Sequence, residues 1–173
     1  GMEREFKITR NYRNEAISTR HNPEFTMLEF YQAYADYRDL MDLTVELLKQ
    51  VAIDATGNTV VSFQGIDLDF GNVRRYTMRE AVCAFWKYDD KPTMDNVRDP
   101  EWLRIHSDKA TPGEALVDIF ERHCEEALVQ PTIIYEYPVE VSPLAKQNPE
   151  DPTMTDRFEI YAAGMEIGNA FTE

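Results

Sequence analysis

The chain has 173 residues, of which 43% are hydrophobic and 29% charged, a composition typical of one folded domain and not of a disordered chain. No apolar run approaches the roughly 20 residues that cross a bilayer, so we expect no membrane partner. Two cysteines cannot form a disulfide framework, which favours a cytoplasmic protein. The net charge of −14 argues against binding to a nucleic-acid backbone, yet the first 25 residues hold five basic and four acidic side chains. This locally basic segment suits a small anionic ligand.

Hydrophobic periodicity predicts the elements of the first part of the chain. Alternating residues predict strands over 5–12 and 24–34, joined by a polar loop into an antiparallel pair. Apolar residues at three- and four-residue spacing then predict a helix from Tyr37 to near Gly57. A hairpin is expected over 59–70, turning at Gln64 and Gly65.

Helix-start signals and a second hairpin organise the rest. A capping box at Thr77 predicts a short helix to about Trp86, and Thr111 begins another that Pro131 ends. A buried strand follows over 132–137, and a hairpin over 158–171 closes the chain. Residues 87–109 are predicted to be an irregular, mobile and variable insertion.

This order of elements predicts the fold class. Strands that pair with their neighbours in sequence, with helices between hairpins, indicate an α+β domain with a largely antiparallel sheet flanked by helices. We expect residues 1–173 to form a single domain.

The polar loop after the first strand carries a first group of candidate residues. Arg13, Asn14 and Glu15 are followed by Arg20, then His21 and Asn22. Arginine binds phosphate or carboxylate oxygens in a two-pronged geometry, and glutamate can accept from an exocyclic amine. The alternative is a solvated hairpin loop without a ligand.

Two glutamates of the final hairpin form a second group. With a two-residue turn at Ala163 and Gly164, Tyr161 faces Glu166, and Glu159 lies one diagonal step away on the same face. Close carboxylates repel unless a divalent cation lies between them, and oxygen ligands suit Mg²⁺. The alternative is a pair of exposed glutamates on an edge strand.

A third group lies at the end of the chain. Asn169, Phe171 and Glu173 share one strand face and could line a pocket for a long cationic side chain. Strict alternation puts Glu166 on the opposite face, so we expect a bulge at Gly168 to reconcile the two sets.

At these residues the sequence resembles the class II lysyl-tRNA synthetases, from their motif 2 onward, over nearly the whole chain except 87–109. The resemblance is carried by Arg10-Asn-Tyr-Arg-Asn-Glu15, Arg20-His-Asn-Pro-Glu-Phe-Thr-Met27, Glu29, Tyr31-Gln-Ala-Tyr-Ala-Asp-Tyr37, Asp69-Phe-Gly71, Thr77-Met-Arg-Glu80, Gln130-Pro-Thr, Glu136-Tyr-Pro-Val-Glu-Val-Ser-Pro-Leu-Ala145, Asp156-Arg-Phe-Glu159 and Glu166-Ile-Gly-Asn169.

The resemblance implies a role for each candidate residue. Arg13 would be the catalytic arginine that bridges the lysine carboxylate and the ATP α-phosphate. The ATP-binding set would be Arg13, Glu15, His21, Asn22, Phe25 and Glu166, with Glu159 and Glu166 holding Mg²⁺. The lysine pocket would be lined by Glu29, Tyr31, Asn169, Phe171 and Glu173.

The same resemblance implies an activity and its partners. Members activate L-lysine with ATP to form lysyl-adenylate and transfer the lysyl group to tRNA(Lys). An anticodon-binding domain, motif 1 and motif 3 have no counterpart in the 173 residues, so we expect a partial catalytic domain that is inactive alone. Lysine-dependent ATP–pyrophosphate exchange should then be undetectable. A homodimer formed through an exposed sheet edge, or a complementing subunit, is the assembly we expect.

Two other functions fit the same residues. A synthetase-like paralogue could lysylate a protein, although such paralogues lack the run Ala33-Tyr-Ala-Asp-Tyr37. A non-catalytic module could retain only lysine or nucleotide binding.

Overall fold

The computed structural model describes residues 3–14, 17 and 21–173. Contacts divide the chain into two compact units, 1–35 and 36–173, which are described in turn.

The first unit is an antiparallel hairpin, as predicted. Strand β1 (Arg4–Tyr12) pairs with β2 (Glu24–Gln32) along its whole length, and Arg4 lies opposite Gln32. Because successive residues of a strand point to opposite faces, the register alone sorts the side chains of this hairpin into two faces.

The second unit begins with a long helix whose ends match the sequence signals. Helix α1 (Tyr37–Thr56) starts at Asp36, which accepts from the backbone N–H of Asp39 while the Asp39 side chain accepts from that of Asp36. It ends at Gly57, whose φ of 78° is left-handed and favours glycine. The predicted hairpin follows as β3 (Val60–Phe63) and β4 (Ile66–Asp69).

The main sheet of this unit has four strands in the order β5-β6-β7-β8. They are β5 (Arg74–Thr77), β6 (Thr132–Pro138), β7 (Met154–Ala162) and β8 (Met165–Phe171). Three are antiparallel, as expected, but β5 was not predicted and lies parallel to β6. A parallel pair needs a long crossover, and the helical segment 78–131 provides it.

Three helices make up that crossover. Helix α2 (Met78–Phe85) has the predicted capping box of Thr77 and Glu80. Helix α4 (Pro112–His123) begins at Thr111 as predicted, but it ends at His123 rather than near Pro131. A separate 3₁₀ turn, Glu125–Ala127, fills the remaining distance.

The prediction that residues 87–109 are irregular is wrong. Helix α3 (Pro100–His106) lies in this segment, and Asp99 caps it by accepting from the N–H of Glu101. Val97 and Leu103 are buried with the main core, so apolar burial stabilises a segment that its charge and proline content had marked as a loop.

The core of the second unit lies on both faces of the four-stranded sheet. One face packs against α1 through Ile133, Phe158 and Ile160. The other face packs against α2, α3 and α4 through Ile134, Tyr137 and Tyr161, with Met78, Val82, Leu103, Leu116, Ile119 and Phe120 among the helix residues. The sheet is therefore a central layer between helices. None of the helices in the described part of the chain combines the length and apolar character that a bilayer crossing requires.

Candidate functional site

In the first unit, one face of the hairpin collects four of the predicted site residues. Phe25, Glu29 and Tyr31 alternate along β2 and therefore share a face. Arg13 follows the end of β1, and its guanidinium carbon lies 5.1 Å from the centroid of the Phe25 ring. This distance is a cation–π contact, which orients the guanidinium against the aromatic face.

Glu29 connects two neighbours on that face. Its carboxylate lies 3.0 Å from the Nζ of Lys7, the residue directly opposite on β1, and accepts from the hydroxyl of Tyr31 at 3.3 Å. The ion pair raises the pKa of Lys7. A carboxylate and a phenol held together in this way can receive a cationic group.

The loop of the hairpin is described only in part. Asn22 accepts from the N–H of Glu24 at 3.4 Å, and His21 is exposed. Glu15 lies outside the described residues, so its predicted contact with a ligand stays a prediction.

In the second unit, a bulge in β8 brings the other predicted residues to one face. Tyr161 lies opposite Glu166, whereas Glu159 lies opposite Asn169, so Ile167 is an extra residue on β8. The bulge was expected at Gly168 and occurs next to it, without a left-handed glycine. One added residue reverses the alternation, and Glu166 and Asn169 therefore share the face of Glu159.

Glu159 is buried and its carboxylate is held by three donors. Only 6% of the residue is exposed, which contradicts the alternative of an exposed edge glutamate. Oε1 accepts from Arg157 at 2.5 Å, while Oε2 accepts from the hydroxyls of Tyr137 at 2.8 Å and Tyr161 at 2.5 Å. Burial and the charge of Glu159 raise the pKa of both tyrosines, so both hydroxyls stay protonated and donate.

Glu166 is held far less firmly than Glu159. Glu166 is exposed, and its Oε1 accepts a hydrogen bond from the side-chain amide of Asn169 at 3.4 Å. Partial desolvation by the surrounding protein, followed by the charge of Glu159, raises the pKa of the Glu166 carboxyl. The second effect is the mutual repulsion that the sequence predicted for this pair.

The donor chemistry of this pair fits Mg²⁺. Carboxylate oxygens are hard ligands, and Mg²⁺ is commonly held by one or two carboxylates together with substrate phosphates. Across the described ranges, no group of three or more His, Cys, Asp or Glu is arranged for a metal, so a fully protein-made cage is not what these residues offer. Glu159 and Glu166 match the shared protein-and-phosphate arrangement.

The last two predicted residues lie at the end of the chain. Phe171 is opposite Arg157, which puts it on the same face as Glu159. Glu173 follows the end of β8 and is exposed, so strand pairing does not set its direction.

In the second unit, the described residues form two cavities that none of these candidate residues lines. One, of about 260 Å³, is next to the start of α1 and is lined in part by Tyr37, Lys146 and Asp156. The other, of about 580 Å³, is lined in part by His106 and Arg122.

Sequence reasoning missed the residues that surround Glu159. Arg157 and Tyr161 occupy alternate positions on β7 with Glu159, so the strand period could have placed all three on one face. Tyr137 could not have been found in this way, because it follows a bulge in β6 at Glu136, whose φ of 61° is left-handed.

Comparison with known proteins identifies the family of the chain. The family model described as tRNA synthetases class II (D, K and N) matches residues 1–173, and the chain therefore belongs to this family. This confirms the predicted α+β, class II synthetase fold.

Within the family, the chain is most informatively compared with lysine–tRNA ligases. It is 46% identical to the lysine–tRNA ligase of Dichelobacter nodosus and 48% identical to those of Escherichia coli K12 and Shigella flexneri, in each case over the whole chain. The predicted resemblance to lysyl-tRNA synthetases is confirmed. The chain spans only about a third of the length of these relatives, 36% of the first and 35% of the other two.

Proposed function

We propose that the chain binds ATP and L-lysine as part of the catalytic domain of a lysine–tRNA ligase. The observation that carries the proposal is the buried carboxylate of Glu159 beside the exposed Glu166, on the face that also bears Asn169. The similarity to lysine–tRNA ligases supports the choice of substrates.

In the first unit, the proposed roles follow from charge and shape. Arg13 binds the α-phosphate of ATP and the carboxylate of lysine, and Phe25 stacks on the adenine. His21 and Asn22 contact the nucleotide, and Glu15 accepts from the adenine amine. A cationic ε-ammonium is bound by Glu29 together with Tyr31, whose contact at 3.3 Å supports a shared role.

In the second unit, Glu159 and Glu166 hold Mg²⁺, and Asn169, Phe171 and Glu173 bind lysine. When bound, Mg²⁺ neutralises phosphate charge and orients the pyrophosphate leaving group. The residues Tyr137, Tyr161 and Arg157 hold the carboxylate of Glu159 in a fixed position for this purpose.

The reaction that this assignment serves is adenylation followed by acyl transfer. A carboxylate oxygen of lysine attacks the α-phosphorus of ATP, an O–P bond forms, and the bond to the β-phosphate oxygen breaks with release of pyrophosphate. The lysyl group of the adenylate then passes to the 3′ end of tRNA(Lys), and AMP leaves. The protein contributes orientation and charge neutralisation and forms no covalent bond.

Calorimetric titration of the chain with Mg-ATP and with lysine tests the proposal. We expect both to bind, and we expect norleucine, which lacks the ε-ammonium, to bind more weakly than lysine. Glu29→Gln should remove the preference for lysine. Glu24→Gln is the matched control, since Glu24 is an ion-paired glutamate on the other face of the same strand.

The outcomes separate the proposal from its alternatives. Binding of ATP with equal affinity for lysine and norleucine would contradict the lysine assignment and favour a nucleotide-binding module. Absence of binding by both ligands would overturn the proposal for this chain.

A further inference from the structure

We infer that Arg157 is a positioning residue for Glu159, and that the segment around Ser142 serves the magnesium site through Arg157. The inference rests on the proposed function, because Glu159 is one of the two carboxylates assigned to magnesium there. It gives a role to the segment 136–145, which the assignment of ligands leaves without one.

The Arg157 guanidinium is held between three parts of the chain. One terminal nitrogen donates to the hydroxyl of Ser142 at 2.5 Å, and the other donates to Oε1 of Glu159 at 2.5 Å. Its central carbon lies 4.8 Å from the centroid of the Tyr137 ring. A planar guanidinium with two nitrogens engaged and one face covered has a single orientation.

This orientation determines which oxygen of Glu159 can accept a further ligand. An ionised carboxylate has about four lone-pair sites, two on each oxygen. The two tyrosine hydroxyls use both sites of Oε2, and Arg157 uses one site of Oε1. The remaining site on Oε1 therefore points in a direction that Arg157 sets.

A stabilising role alone does not account for this arrangement. A buried ion pair contributes little more to stability than a well-packed apolar pair would. In the exposed pair of Arg104 and Glu101 in α3, two of the three guanidinium nitrogens donate to one carboxylate. Arg157 instead donates to both Glu159 and Ser142. It therefore links the carboxylate assigned to magnesium to the segment around Ser142.

Binding of Mn²⁺, measured by electron paramagnetic resonance in the presence of ATP, is the first test. Arg157→Lys keeps the charge but cannot reach Ser142 and Glu159 together, and it should weaken Mn²⁺ binding about 10- to 100-fold, the usual effect of losing a residue that orients a metal ligand. Ser142→Ala should weaken it about 5-fold, the effect of one lost hydrogen bond. Arg104→Lys, the same substitution in an ion-paired arginine of α3, should leave it unchanged.

The carboxyl ¹³C signal of Glu159 in the metal-free chain is the second test. Ser142 hydrogen-bonds Arg157 rather than Glu159 in the described part of the chain. In Ser142→Ala the Glu159 signal should therefore shift only if the change in the position of Arg157 also changes the position of the Glu159 carboxylate. A purely structural role of Ser142 would lower the melting temperature and leave the Glu159 signal unchanged.

The two readouts keep the inference separate from the proposed function. If the unaltered chain binds no Mn²⁺, the metal assignment is overturned, and the carboxyl signal decides the role of Arg157 without it. If the chain binds Mn²⁺ but Arg157→Lys and Ser142→Ala leave both the affinity and the Glu159 signal unchanged, the inference is overturned while the metal assignment stands.

Discussion

The hairpin of the first unit and the sheet of the second present candidate carboxylates in two contrasting ways. Glu29 lies on a two-stranded hairpin, has an ion pair with Lys7 and a hydrogen bond from Tyr31, and keeps 27% of its side chain exposed. Glu159 lies on a central strand with 6% exposure and three donors. The hairpin can adjust to a ligand, whereas the sheet presents a carboxylate whose direction is set before any ligand arrives.

The largest expected difference between the two regions is in stability. Phe158 is 1% exposed in the core between the sheet and α1. Phe158→Ala should lower the free energy of unfolding by about 3–5 kcal/mol, because it removes a large buried ring and leaves a cavity. Phe25→Ala, on the hairpin, should cost less than about 1 kcal/mol, the size of an exposed cation–π contact. Urea unfolding followed by far-ultraviolet circular dichroism measures both, and equal losses would contradict the contrast.

The second difference concerns the two carboxylates themselves. Glu159→Gln removes a buried charge and leaves Arg157 without its counter-ion, which should cost about 3 kcal/mol. Glu29→Gln, the matched change on the hairpin, should cost less than about 1 kcal/mol, as exposed ion pairs do.

Salt distinguishes the two losses further. Added salt should abolish the effect of Glu29→Gln, because exposed charges are screened, and should leave most of the effect of Glu159→Gln. Urea midpoints at low and high ionic strength measure this, and equal salt dependence would show that Glu159 is more accessible than its burial indicates.

The smallest effect concerns the pH dependence of Glu166. Folding raises the pKa of Glu166 above its ordinary value of 4.5, so the folded chain binds this proton more tightly than the unfolded chain does. Its ionised form therefore opposes folding at neutral pH, and the opposition disappears as the pH falls below the ordinary value. Glu166→Gln should raise the melting temperature near neutral pH and leave it unchanged near pH ~4.

Asp151 is a control of opposite sign for that experiment. Burial opposes ionisation of Asp151, but hydrogen bonds from Arg79, at 2.6 Å, and from Thr153 hold its pKa below the ordinary value. Asp151→Asn should therefore lower the melting temperature near neutral pH, and the loss should shrink as the pH falls through the lowered pKa. If both variants changed the melting temperature near neutral pH in the same direction, the opposite pKa shifts of Glu166 and Asp151 would be refuted.

The sequence predicted those parts of the fold that local signals determine. The helices capped by Asp36, Thr77 and Thr111 begin where the sequence indicated. Their starts were predictable because a capping box depends only on residues three positions apart. Strand β5 was missed because its parallel partner is more than fifty residues away. Helix α3 was missed although Asp99 and Pro100 form a start signal, because the charge of the segment was given more weight than its buried apolar residues.

The candidate site was predictable to a similar extent. Alternation along β2 was enough to put Phe25 and Glu29 on one face. The shared face of Glu159 and Asn169 required a bulge, which was expected at Gly168 and occurs beside it, at Ile167. Of the donors to Glu159, Arg157 and Tyr161 lie at alternate positions of its own strand, whereas Tyr137 comes from β6 after a bulge, and no pattern within one segment identifies it.

The extra residue in β8 has a consequence for how the gene can vary. Ile167 is half-exposed and has no partner across the strand pair, so many side chains could replace it. Deleting its codon would place Gly168 directly after Glu166 and remove the bulge, and regular alternation would then keep Asn169 on the face of Glu159 and Ala170 on the face that packs against α1. At this position natural variation should therefore include both substitutions and the loss of one residue, whereas a single-residue deletion at a paired position of β8 would move the residues after it to the opposite face.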